Sequence, residues 1–121
     1  ATVVSWLEAI KRQCDEMAAP VTFVMIPSAF MADPRVKTFW EPWPALAQAH
    51  VAIARRYQAV IDAMCHKGLA FIDLRECLDR VEGAYRLTDF HWSEKGHHIV
   101  TERMVREIRS SAARCGPGSA P

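Results

Sequence analysis

Apolar positions near the start of the chain recur at alternating steps of four and three: Val3, Leu7, Ile10, Cys14 and Met17. Glu8, Lys11, Arg12 and Asp15 fall between them, so the spacing predicts an amphipathic helix, ended by Ala18-Ala19-Pro20. The period then changes. Val21-Thr22-Phe23-Val24-Met25-Ile26 is a continuous β-rich apolar run stopped by Pro27, the pattern of a strand buried on both faces. Residues 27–44 carry Pro27, Pro34, Pro42 and Pro44 among Phe30, Phe39, Trp40 and Trp43, which reads as a long ordered loop. Leu46, His50, Ile53, Tyr57, Val60, Ile61 and Met64 mark one face of a long helix, with Pro44 suited to its first turn and Gly68 to its stop. Leu69-Ala70-Phe71-Ile72-Asp73-Leu74 is a second short strand, and a short helix from Glu76 to Val81 ends before Gly83. Ser93 is placed to cap a last helix with Glu94 in its first turn and a buried stripe of Val100, Met104, Val105 and Ile108.

Strand, helix and strand with a crossover of this length form a βαβ unit, so the two strands should be parallel. The expected class is α/β with a short parallel sheet. Two such strands alone leave backbone donors and acceptors open on both outer edges. Residues 1–114 are therefore expected to be the C-terminal portion of a larger α/β domain, or a unit completed by strands from a partner. Residues 115–121, Cys-Gly-Pro-Gly-Ser-Ala-Pro, are expected to be a flexible tail.

Composition narrows the picture by exclusion. The chain has 121 residues, half of them hydrophobic, and a net charge of +1. That is the make-up of one globular domain, with basic and acidic residues interleaved and no footprint for nucleic acid or an anionic surface. No apolar run approaches the roughly 18–20 residues of a membrane span. The chain opens on Ala1 rather than Met, as a processed or trimmed product would. Cys14, Cys65, Cys77 and Cys115 are widely spaced, with no Cys-x-x-Cys pair, which argues against structural zinc and reads as buried free thiols, or as two disulfides outside the cytosol. His91, His97 and His98 lack a spacing that converges on one ion, so neither a metal nor a cofactor is expected.

The most informative segment is Asp89-Phe90-His91-Trp92-Ser93-Glu94-Lys95-Gly96-His97. In an extended segment, side chains at i and i+2 point the same way with Cα atoms roughly 6–7 Å apart. A carboxylate oxygen then reaches Nδ1 of the imidazole and leaves Nε2 free to take a proton from a nucleophile. The bland alternative for the same residues is a turn-capping Asp89 and a surface His91. This segment resembles the last block of SGNH/GDSL-type hydrolases, and most closely the alginate O-acetyltransferase-like branch with its Asp-x-His-Trp sequence. Val24-Met25-Ile26-Pro27-Ser28 and Ala70-Phe71-Ile72-Asp73-Leu74 look like strands that precede that block in the same family.

The resemblance implies a three-layer α/β/α, flavodoxin-like fold and acyl-ester hydrolysis or O-acetyl transfer through a Ser-His-Asp triad. It places Asp89 and His91 in the acid–base roles and implies an acylated small molecule or carbohydrate as substrate. Members of that branch are often exported, which leans the setting towards the periplasm or the exterior. The family's Gly-Asp-Ser block is absent here, and the first glycine is Gly68. The nucleophile is thus expected from an N-terminal segment or a companion chain, including a second copy. Ser28 is the best substitute within the chain, although it lacks the glycine neighbours of a strained nucleophile turn and reads more readily as a turn cap. Trp40 and Trp43 are candidates for stacking on a sugar, and Arg35 for meeting an anionic group. The alternative to an enzyme is a non-catalytic binding or assembly module, degenerate or completed by an oligomer partner.

Overall fold

The computed structural model describes residues 2–110. Eight elements follow one another: α1 (Val3–Glu16), β1 (Phe23–Met25), α2 (Ala29–Ala32), α3 (Pro34–Trp40), α4 (Pro44–His66), β2 (Phe71–Asp73), α5 (Arg75–Leu78) and α6 (Glu94–Ser110). The two strands pair in parallel, with Phe23 opposite Phe71, Val24 opposite Ile72 and Met25 opposite Asp73. The architecture is α/β, rich in helix, around a two-stranded parallel sheet. The expected tail at 115–121, with Cys115, lies outside the described residues.

Strand alternation distributes the helices. Val24 and Ile72 face a core made by Ala29, Ala32, Val36, Leu74, Leu78 and Val100, so α2, α3, α5 and α6 meet on that side. Asp73 points the other way, where its carboxylate holds the Tyr57 hydroxyl of α4 at 2.8 Å. Tyr57, Ile61 and Met64 are the buried face of α4, and α1 packs against that helix with a Lys67–Glu8 ion pair at 3.1 Å.

Several local signals hold. Pro44 begins α4, and Gly68 follows its end with a φ of +63°. The Ser93 hydroxyl accepts from the Gly96 amide at 3.1 Å and donates to the Gly83 carbonyl, which caps α6 and ties it to the preceding turn. Gly96 is required by close approach, because a Cβ there would stand 2.1 Å from the Ala84 carbonyl oxygen.

Other expectations need correction. The strands are three residues long and largely half-buried, and Ile26 is 53% exposed, because the sheet has only two members and cannot cover both faces and both edges. The 27–44 stretch is two short helices rather than a loop. Asp33 supplies the reason: its side chain caps α3 by accepting from the Arg35 amide at 3.0 Å, with Pro34 in the first turn. The short helix before Gly83 ends at Leu78 rather than Val81. On α6, Val100 is buried but Val105 and Ile108 are exposed, since no described residue covers them. No residue of α1 is fully buried, and Val3, Trp6, Ile10 and Met17 face outward. Cys14 and Cys77 carry free thiols that are half-buried, and Cys65 is half-buried as well. Burial pushes the Cys77 thiol up, away from thiolate chemistry.

Asp33 is fully buried and carries the most demanding set of bonds in the chain. Beyond the Arg35 amide, it accepts from the Arg35 guanidinium at 3.4 and 3.2 Å, from the Gly83 amide at 2.9 Å and from the Tyr85 amide at 3.3 Å. Burial alone would raise its pKa, but the Arg35 guanidinium and the three amides outweigh it and leave the carboxyl below its ordinary value. Asp73 is held low in the same sense, burial opposing and Arg75 and Tyr57 prevailing.

Asp33→Ala should lower unfolding stability by about 2–4 kcal/mol, discounted because the Arg35 side chain is partly solvated. A depressed folded pKa contributes stability that is present above the unfolded value of about 3.9 and lost as pH falls through the folded one. Urea titrations between pH 7 and pH 2 should therefore show wild type losing stability below about pH 4, with a shallower loss in the variant. Gly96→Ala should cost at least about 2 kcal/mol in the same measurement, because the obstacle is backbone.

Candidate functional site

Helix α6 cannot begin closer to the core than its Ser93–Gly96 turn allows, and that turn fixes where the preceding residues run. Tyr85 and Trp92 form an isolated antiparallel bridge, with the Ser93 amide on the Ala84 carbonyl at 2.9 Å and the Arg86 amide on the His91 carbonyl at 2.8 Å. Residues 87–90 are the tip of this closed loop. Phe90 occupies the left-handed region at φ +60°, which costs a non-glycine residue roughly 1–2 kcal/mol. Ring contacts hold it there: Phe90 lies 5.1 Å from Phe30 and 5.3 Å from Trp40, centroid to centroid. The Trp40 indole N–H adds a 2.7 Å bond to the Leu87 carbonyl.

The left-handed Phe90 changes how Asp89 meets His91. The segment is a turn, not the extended pair the spacing suggested. Asp89 Oδ1 accepts from the His91 backbone N–H at 3.1 Å and stands 3.6 Å from His91 Nδ1, beyond hydrogen-bond distance. That backbone donor is the main reason the Asp89 carboxyl lies below its ordinary pKa, with the His91 ring and Arg86 adding to it. Arg86 sits 3.6 Å from the second carboxylate oxygen. The Asp89 side chain is 43% exposed and that of His91 81%, so water screens both. The carboxylate and the ring are neighbours, and the bond between them is not closed.

His91 nevertheless stands on the wall of a cleft of about 660 Å³. Ile26, Phe30, Ile53 and Phe90 make it apolar, and Tyr57 and Tyr85 close it from the side of the sheet. Both tyrosine hydroxyls are occupied: Tyr85 donates to the Pro27 carbonyl at 2.7 Å, and Tyr57 lies between the Met25 carbonyl at 2.9 Å and Asp73. Burial raises the pKa of each, so both stay neutral donors. Trp92 and His97 also line the cleft, their rings edge to face at 5.5 Å.

Ser28 enters the same cleft from the end of β1. It stands at the N-cap position of α2 yet makes no capping bond, which corrects its reading as a turn cap. Its Oγ is sealed from solvent with no hydrogen-bond partner among the described residues. Trp40, Trp43 and Arg35 are not among the residues lining the cleft. Trp40 spends its N–H on Leu87, Trp43 packs on Trp40 with half its surface exposed, and Arg35 is committed to Asp33 and to the Tyr85 carbonyl at 3.4 Å. The part these three play is support: they hold the loop that carries His91. Their aromatic and basic character signalled a surface site, and only the fold shows them committed to neighbours within the protein.

Sequence reasoning passed over Asp33, although Asp-Pro-Arg is a legible helix start. It also passed over Phe30 and Ile53 as cleft walls. No group of three or more His, Cys, Asp or Glu side chains among the described residues is arranged to hold a metal. His98 pairs with Glu102 at 3.3 Å on the surface of α6. No described helix is long and apolar enough to cross a membrane. Comparison with family models, curated proteins and solved structures returns no match to this chain.

Trp40→Phe keeps most of the ring packing and removes the bond to Leu87. It should cost about 1 kcal/mol of stability and speed hydrogen exchange at the Arg86 amide, which the His91 carbonyl protects. An unchanged Arg86 exchange rate would show that the loop does not depend on the indole.

Proposed function

We propose that this chain supplies the acid–base half of an acyl-transfer site, as the C-terminal portion of an SGNH-like acyl-ester hydrolase or O-acetyltransferase. The single observation that carries the reading is His91 on the wall of an apolar cleft roomy enough for an acyl ester, with the Asp89 carboxylate 3.6 Å from its ring. In this reading the two parallel strands belong to a larger flavodoxin-like sheet with helices on both faces. A serine from a further segment or a companion chain lies against His91. His91 Nε2 takes the serine proton as the oxygen attacks the ester carbonyl. It then returns that proton to the departing alcohol, leaving an acyl serine. Water or an acceptor hydroxyl repeats the sequence in reverse. Asp89 orients the ring and stabilises the imidazolium. The solvent exposure of His91 fits this division, because the surface that brings the serine would also dry the pair and shorten the Nδ1–Oδ1 distance.

A second reading has its own support. Val3, Trp6, Ile10 and Met17 form an exposed apolar row on α1, and the sheet has open edges, as an assembly module would.

By itself the chain should hydrolyse p-nitrophenyl acetate no faster than its His91→Ala variant. Joined to a Gly-Asp-Ser-bearing segment, it should lose at least about a thousandfold in kcat on His91→Ala, with KM little changed. Equal rates in the joined protein and its variant, together with a stable dimer of the chain by light scattering, would favour the assembly module instead.

A further inference from the structure

A buried hydroxyl with no partner is costly, and the cost is recovered when something else supplies the bond. Ser28 Oγ is such a group. It lies on a cleft whose other walls are mainly hydrocarbon, beside Trp92, whose indole N–H is sealed from solvent and turned to the Tyr85 hydroxyl. An oxygen acceptor brought into the cleft supplies the bond that Ser28 lacks. The remaining volume faces Ile26, Phe30 and Ile53, and an acetyl group would leave most of about 660 Å³ unfilled. A straight aliphatic chain would cover those walls.

We infer that the cleft takes the acyl half of its ligand as a neutral carbonyl with an aliphatic chain longer than acetyl, the carbonyl oxygen at Ser28 and the chain along Ile26, Phe30 and Ile53. This rests on the acyl-ester reading for the chemistry of the ligand and specifies which acyl groups that site accepts. Ser28 is here a binding group rather than a nucleophile. It lies at a helix start without the glycine neighbours of a strained nucleophile turn, and its side chain makes no hydrogen bond that would activate it.

The test titrates the chain with acetone, 2-butanone, 2-hexanone and 2-octanone, neutral mimics of the ester carbonyl, and follows the Trp92 indole N–H and Ser28 amide resonances. Affinity should climb about three- to fourfold per methylene between 2-butanone and 2-octanone, with no shift from acetone. Ser28→Ala should bind 2-octanone at least tenfold more weakly while its urea midpoint equals or exceeds that of wild type, because the change removes an unpaired buried hydroxyl. Ile53→Glu, at a partly exposed position on α4, should weaken binding similarly and stay folded. The readout is binding alone, so failure of the catalytic reading leaves this result standing. Affinity independent of chain length overturns the inference. So does a Ser28→Ala variant that binds as tightly as wild type, or one that loses stability while binding is unchanged.

Discussion

The buried carboxylate of Asp33 is the constraint on which the rest of the site depends. It starts α3, holds Arg35 and receives the Gly83 and Tyr85 amides, so one side chain joins residues some fifty positions apart in sequence. The loop bearing His91 leaves from Tyr85 and returns to it through the Trp92 bridge. Without that anchor the loop would rest on the Ser93 bonds to Gly83 and Ala84, the Tyr85–Pro27 and Trp40–Leu87 bonds and the Phe90 ring contacts. A charged group this deep is tolerated because each oxygen is answered by donors, and the same donors keep it ionised.

The cleft follows from the same arrangement. Its floor is the end of β1, where Ile26, Pro27 and Ser28 leave the sheet, and its far wall is the loop that Asp33 secures. Tyr57 and Tyr85 spend their hydroxyls on the backbone around β1, which leaves hydrocarbon facing inward. The result is an apolar space with an imidazole on one side and an unpaired hydroxyl at its base. Asp89 contributes to the loop before it contributes to any chemistry, since its shorter bond is to the His91 backbone and its longer approach is to the ring.

What was legible in the sequence is what local chemistry decides. Pro44, Gly68 and Ser93 mark helix ends because their effects are confined to one turn, and the parallel pairing of the two strands follows from the long crossover. The Asp89–His91 pair was legible as a motif but not as a geometry, because the left-handed Phe90 is set by Phe30 and Trp40, about sixty and fifty residues earlier. Residues 27–44 read as a loop because four prolines dominate the pattern, while the stabilising partners of α2 and α3 come from distant segments. Burial was overestimated on α1 and α6 for a related reason: an apolar stripe states a preference to be covered, and this chain has too few layers to cover every stripe. The unpaired Ser28 hydroxyl had no sequence signal, since being unpartnered is a property of the surroundings.

The claim at the centre is that Asp89 orients the His91 ring so that Nε2 is left to accept a proton. Long-range proton–nitrogen spectra of the neutral imidazole, in this chain joined to a Gly-Asp-Ser-bearing segment that covers the pair and in the Asp89→Asn variant of that protein, report that orientation directly as the tautomer. The account predicts a His91 ring protonated mainly on Nδ1 in wild type, with that preference lost in the variant. A ring protonated mainly on Nε2 and indifferent to Asp89 would contradict it.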